Sequence, residues 1–214
     1  MEDNSVITPE IEQLIQAVET ADSAAKLVGA VRALAATRSP LAVPQLTTVL
    51  RYNNPGAAVA AVDGLIQIGD AAMAHLLANM DGYNYGARAW ATRACAGIGD
   101  PRALALLQEA ALTDFALSVR RAAAKGLGFL RWQSLPQEEQ KTVQKAIYDT
   151  LLQVCEDPEW VVRYGAIAGL ENLATQAVDY RQPLTTFLQA LLEREPEAIV
   201  GERILLALEN ISPM

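Results

Sequence analysis

Tyr85-Gly-Ala-Arg-Ala-Trp-Ala-Thr-Arg-Ala-Cys-Ala-Gly-Ile-Gly-Asp-Pro-Arg-Ala103 and Leu117-Ser-Val-Arg-Arg-Ala-Ala-Ala-Lys-Gly-Leu-Gly-Phe-Leu130 share one pattern. Both read x-Arg-x-x-Ala-x-x-Gly/Ala-x-Gly/Ala, with small residues at helical spacing. A helix of this kind, in a unit of some 30 residues, is too short to bury its apolar face alone. It must stack on neighbouring units of the same kind.

One small residue per unit tracks the repeat: Ala33, Gly64, Ala94, Gly126, Gly169 and Ala207, at intervals of 31, 30, 32, 43 and 38 residues. These periods and the pattern are those of a HEAT-like repeat. The small side chain is expected to let the two helices of a unit approach closely. Five residues after it, Gly69 and Gly99 precede Asp, as expected of a glycine that ends a helix. Pro101 suits the first turn of the next helix, where a missing N–H costs nothing.

Second amphipathic stretches lie between the anchors, at residues 43–50, 72–80, 103–111, 143–154 and 184–192. In the last, apolar residues fall at Leu184, Phe187, Leu188, Leu191 and Leu192, a helical period rather than a strand period. The expectation is an all-α fold: a right-handed α-solenoid of about six HEAT-like helix pairs, in a single domain over residues 1–214. The long intervals contain Trp132-Gln-Ser-Leu-Pro-Gln-Glu-Glu-Gln-Lys141 and Val178-Asp-Tyr-Arg-Gln-Pro183. Both read as loop insertions, the first entering a helix after Leu135-Pro136.

At 214 residues and 51% hydrophobic, the chain can bury a substantial core without disulfides. Aromatic residues make up only 6%, so Ala, Leu, Val and Ile must build that core. No apolar run reaches the roughly 18 residues of a transmembrane helix. The acidic start Met1-Glu-Asp-Asn4 has neither part of a secretory signal, so a cytoplasmic location is expected. Cys95 and Cys155 lie in helical apolar stretches of different repeats and read as small core residues.

Charge is distributed unevenly. Residues 1–82 carry 4 Lys/Arg against 9 Asp/Glu, residues 83–132 carry 7 against 3, and residues 133–214 carry 6 against 13. A chain of net charge −8 is a poor binder of nucleic acid, which needs extended basic surface. Its positive middle suits a small anion, one or two carboxylates, or an acidic partner.

The densest constellation is Asp81-Gly-Tyr-Asn-Tyr-Gly-Ala-Arg-Ala-Trp-Ala-Thr-Arg93, with Asn84 as a candidate helix cap. It places Tyr83, Tyr85, Arg88 and Trp90 at the entry to an inner helix, with Arg93 closing the run. Arginine pairs carboxylates bidentately and stacks on π systems, and Tyr and Trp cover flat apolar ligands. The equally open reading is structural: Trp90 fills the inter-repeat core and Arg88 pairs with a nearby acid. Asp114-Phe-Ala-Leu-Ser-Val-Arg-Arg121 is the second constellation. Repeat alignment places Arg120 and Arg163 where Arg88 stands, a ladder that reads as structural bonding to the adjacent repeat or as binding surface. Arg121 stands beside it, Asp114 is a natural partner, and Trp132, Trp160 and Tyr164 complete the aromatic set. Lone His75 has no second ligand at metal spacing, and no metal site is expected. No phosphate loop, nucleophile elbow or zinc motif is present.

Three runs, Asp81–Ala94, Gly99-Asp-Pro-Arg-Ala103 and Asp114–Gly128, together resemble the CpcE/CpcF bilin lyase family, HEAT-like proteins of cyanobacteria. The length and Tyr52-Asn-Asn-Pro55 are similar to its F-type (beta) subunits. The resemblance implies a heterodimer with an E-type (alpha) subunit. That enzyme attaches phycocyanobilin, an open-chain tetrapyrrole, through a thioether to a cysteine of apo-phycocyanin alpha. It implies phycocyanobilin as substrate, with no prosthetic group and no membrane insertion. Related lyase–isomerases carry an Asn-His-Cys-Gln-Gly-Asn motif that this chain lacks, so ligation without isomerisation is expected. Under this chemistry an acid that protonates the bilin would polarise it, and Asp114 is the candidate. Tyr83, Tyr85, Arg88, Trp90, Arg93, Arg120, Arg121, Trp160 and Arg163 would bind bilin or partner. The alternative is a non-catalytic adaptor that docks phycobiliproteins during phycobilisome assembly or turnover.

Overall fold

The computed structural model describes residues 9–80 and 85–212. All regular structure among them is helical, and the helices form two compact units, one ending at Ile98 and one beginning at Gly99.

In the first unit, α1 (Pro9–Glu19) pairs with α2 (Ala24–Ala36), and α3 (Val43–Val49) with α4 (Pro55–Ile68). Then come α5 (Asp70–Ala78) and α6 (Tyr85–Ile98). Side chains start the helices where the backbone leaves N–H groups unpaired. Ser23 accepts from the Lys26 N–H at 3.3 Å and Asn54 from the Ala57 N–H at 3.0 Å. Gly69 stops α4 at φ +74°, a left-handed value that costs a residue without a Cβ little. The second helices of the pairs pack on one another, α2 on α4 and α4 on α6. Val31, Leu34, Leu46, Leu65, Met73 and Leu76 form the core, with no side chain larger than Met.

In the second unit a short turn, Pro101–Ala103, leads into α7 (Leu104–Thr113), which pairs with α8 (Leu117–Gly128). Next come α9 (Gln137–Val154) with α10 (Trp160–Gln176), and α11 (Arg181–Leu192) with α12 (Ala198–Ile211). Among the described residues the expected six pairs are present. Of the two insertions, 132–141 is a short turn over Trp132–Ser134 followed by the start of α9. Residues 178–183 are likewise a turn running straight into α11. Leu184, Leu188 and Leu191 turn inward as their spacing requires, and Phe187 and Leu192 are half-buried. Trp132 is 6% exposed and belongs to the core rather than to any open aromatic surface.

The anchor glycines do what the sequence expectation asks and more. They admit the paired helix of their own repeat, an added Cβ lying 3.2 Å from Leu46 Cδ1 at Gly64 and 3.0 Å from Leu151 Cδ1 at Gly169, and also the equivalent helix of the preceding repeat. A Cβ on Gly64 of α4 would come within 2.6 Å of the Ala35 Cβ of α2. On Gly169 of α10 it would meet the Ala124 carbonyl oxygen of α8 at 2.7 Å. On Gly128, two residues after the anchor Gly126, it would lie 2.1 Å from the Gly169 carbonyl oxygen. Ala33 is exposed.

Candidate functional site

In the first unit, Ala87, Ala91, Ala94, Cys95 and Ile98 commit one face of α6 to the core. This turns Tyr85 (45% exposed), Arg88 and Arg93 outward and leaves Trp90 half-buried. The Arg93 guanidinium carbon lies 4.9 Å from the Trp90 ring centroid, a cation–π contact one turn long. Trp90 therefore neither fills the core nor stands clear of it: it is half-buried, with an arginine over its ring. Tyr83 and the proposed cap Asn84 lie outside the described residues.

In the second unit the arginine ladder is resolved atom by atom. Arg120 Nη1 donates to the carbonyl oxygens of Asp114 and Phe115 in its own loop, at 2.9 and 3.3 Å. Its Nε and Nη2 donate to the Asp157 carboxylate of the following loop, at 2.7 and 3.2 Å. Arg163 repeats this one unit later, with Asp157 and Pro158 carbonyls at 2.9 and 3.1 Å and Glu195 at 2.9 and 2.5 Å. Each guanidinium thus ties its own loop to the next by charge-assisted bonds. Side-chain exposures of 11% and 2% for the Arg163–Glu195 pair leave no room for a ligand between them. Burial raises the Glu195 pKa, but hydrogen bonds from Arg163 and the Glu197 N–H outweigh it and hold the carboxyl below the ordinary range.

Asp114 occupies the register of these acids, six residues before its arginine. It is half-buried, and its Oδ1 accepts from the Ala116 N–H at 2.8 Å. Asp157 and Glu195 make the equivalent bonds to the Glu159 and Glu197 N–H groups. The three acids share a loop-capping geometry. Trp160 opens α10 and is 41% exposed at the same edge of the unit.

Arg121 and its neighbours lie on the open face of α8. Arg121, Lys125 and Phe129 follow at i, i+4 and i+8, all exposed. Lys125 Nζ stands 5.7 Å from the Phe129 ring centroid. Lys125 and Phe129 were not singled out from the sequence. The signal was available: the residue before each anchor is Arg32, Asp63, Arg93, Lys125, Ala168 and Leu206, and its outward register carries three cations.

A cavity of about 240 Å³ is lined by Cys155, Asp157, Arg163, Leu191, Arg194 and Glu195. Its cations are already neutralised, Arg163 by Glu195 and Arg194 by Glu156, so it is not an anion site. Cys95 and Cys155 are buried thiols, and burial pushes the Cys155 pKa far up, away from the thiolate. Among the described residues no group of three or more His, Cys, Asp or Glu is placed to hold a metal ion. No helix is long and apolar enough to cross a membrane. The described side chains offer cations, aromatic faces and a half-buried acid, with no activated nucleophile.

The profile of HEAT repeats matches residues 73–143. A phycocyanin alpha phycocyanobilin lyase CpcF of Synechocystis sp. is 91% identical over 214 residues, covering all of both chains. A phycobilisome maturation protein of Synechococcus elongatus is 53% identical over 91% of this chain and 95% of its own. In the solved complex of CpcE and CpcF of phycocyanin lyase from Nostoc sp., one chain is 49% identical. It superposes with a TM-score of 0.74 over 78% of this chain and 98% of that one. A designed armadillo repeat protein at 19% identity and TM-score 0.58 shares the fold alone. With the helix pairs and the arginine ladder in place, near-identity along the full length is decisive: the chain belongs to the CpcF family of phycocyanobilin lyase proteins.

Proposed function

We propose that the chain is the F-type subunit of a heterodimeric bilin lyase. With an E-type subunit, it attaches phycocyanobilin through a thioether to a cysteine of the phycocyanin alpha subunit. The observation that carries this reading is the 91% identity over the whole length to a lyase of that description. Bilin is substrate in this scheme, with no resident prosthetic group, and the chain works in the cytoplasm beside thylakoid-bound phycobilisomes.

The chemistry asks little of this subunit in covalent terms. Adding a thiol to the bilin forms one C–S bond, and the thiol proton is balanced by a proton delivered to the bilin, with no leaving group and no redox partner. The nucleophile belongs to the acceptor, which agrees with two buried cysteines here, the Cys155 thiol held away from the thiolate by burial. The lyase's contribution is then to hold a flat, flexible tetrapyrrole in one reactive geometry. In the first unit Tyr85 and Trp90 offer aromatic faces, and Arg88 and Arg93 offer cations, to the bilin or to the partner subunit; in the second unit Trp160 and Arg121 offer the same two kinds of group to either. Tyr83 belongs to the same set by sequence. Arg120 and Arg163 act one step back, as scaffold ties between successive loops. Asp114 is the acid we assign to bilin protonation, and the missing isomerase motif points to ligation alone.

The test is co-expression with an E-type subunit, apo-phycocyanin alpha and a phycocyanobilin source, read by fluorescence of denatured bands. A covalently fluorescent alpha band that requires this chain is expected. Its absence from a soluble complex with verified bilin supply would move the reading to a non-catalytic adaptor. Asp114→Asn keeps the Oδ1 acceptor for the Ala116 N–H but cannot deliver a proton. Thioether yield is expected to fall about a hundredfold with stability unchanged, and an unchanged yield would leave Asp114 a loop cap only.

A further inference from the structure

We propose that Arg121, Lys125 and Phe129 form a carboxylate subsite on the open face of α8, taking the propionate groups of the bilin. This rests on the lyase reading and adds to it a charge anchor in the second unit.

The first observation is an imbalance. The chain holds 25 acids against 17 Lys and Arg, so a cation can readily find a partner. Many do: Arg102 takes Asp100, Arg120 takes Asp157, Arg163 takes Glu195, Arg194 takes Glu156 and Arg203 takes Glu171. Arg121 and Lys125 have no acidic partner among the described residues. They sit one helical turn apart, where like charges repel. Two uncompensated cations side by side in an acidic chain are what an anion site looks like before its anion arrives.

The second observation is that the pair is held in place. Gly165 of α10 lies under Arg121: a Cβ there would come 2.9 Å from the Arg121 carbonyl oxygen and 3.2 Å from its Cγ. The close passage of α8 over α10 fixes the stem, which lowers the entropy lost when the guanidinium meets a ligand. At the other end Phe129 is 45% exposed beside Lys125, giving an apolar face next to the ammonium. Arginine offers a planar fork and lysine a point charge, so together they can hold two carboxylates rather than one. A flat apolar molecule with two carboxylates matches both the cations and the ring.

The experiment compares phycocyanobilin with its dimethyl ester, which keeps the tetrapyrrole and removes both negative charges. Each is titrated by absorbance into the purified heterodimer. We expect the wild type to bind the free acid about tenfold or more tightly than the diester, the ratio of one charge-assisted contact. The double variant Arg121→Gln/Lys125→Gln should lose that preference while its affinity for the diester and its heterodimer elution stay unchanged. Arg121→Lys/Lys125→Arg, which keeps both charges, should retain the preference. The subsite is overturned if the double glutamine variant still prefers the free acid, or if the wild type never does. It is also overturned if the variant instead loses its partner subunit, since the cations would then meet protein acids. Should the wild-type heterodimer yield no thioether-linked alpha subunit, the lyase reading falls separately, in an assay independent of this one.

Discussion

Replacing Arg163 by Met separates a scaffold arginine from a substrate arginine. In the folded chain the guanidinium satisfies the Asp157 and Pro158 carbonyl oxygens and the Glu195 carboxylate at once. Methionine restores much of the volume but none of the donors. The larger loss is the stranded charge, because the Glu195 side chain is only 2% exposed. Removing one partner of such a pair costs about 3–5 kcal/mol. Glu195→Gln alone, which leaves the arginine its carbonyls, should cost about 1–3 kcal/mol. In Arg163→Met/Glu195→Gln no buried charge remains, so the double variant should be more stable than the sum of the singles by about 2 kcal/mol. Urea unfolding followed by circular dichroism would complete the cycle. At a temperature where Arg163→Met is still folded, thioether yield per folded molecule should match the wild type. The reasoning is refuted by a coupling below about 0.5 kcal/mol, or by a variant of wild-type stability that makes no thioether.

Three further outcomes follow from the same geometry. Gly128→Ala should destabilise by about 1–3 kcal/mol despite alanine's better helix propensity, because the new methyl would lie 2.1 Å from the Gly169 carbonyl oxygen; thermal melting checks it, and a higher melting point would contradict the packing. Hydrogen bonds from Arg102 hold the Asp100 pKa down, the bond from Arg194 does the same for Glu156, and those from Arg163 and the Glu197 N–H outweigh burial at Glu195. Their stabilisation is complete above the unfolded carboxylate values near 4 and is lost as pH falls through the lower folded ones. Unfolding free energy should therefore drop with acid below about pH 4.5, measured by urea titration, with a shallower drop in Glu195→Gln. Finally, Cys95→Ala/Cys155→Ala should retain full thioether yield, and native protein should resist iodoacetamide at neutral pH, since both thiols are buried; loss of the yield in a folded double variant would place a lyase thiol in the reaction.

Much of this architecture was legible in the residues. The i, i+3, i+4 spacing of small and apolar residues fixed six helix pairs, and local backbone chemistry fixed their ends. Gly69 and Gly99 stop helices at φ +74° and +70°, and Ser23 and Asn54 start them. These are short-range effects, confined to a turn or two of chain, so sequence alone determined them. The family, too, was written in the segment around Trp90. What tertiary structure decided was which side chains are already occupied. Arg120, Arg121 and Lys125 stand within two turns of one helix, and the repeat register marks Arg120 without saying what it meets. Yet Arg120 is consumed by Asp157, 37 residues away, while the other two face outward without an acid. The packing of α8 on α10 brings that acid to the one and not to the others, just as it assigns Gly128 and Gly169 to the contact between successive repeats. Electrostatic pairing depends on distance in space, and the sequence period gives the register of each arginine but not the fold of the loop that meets it.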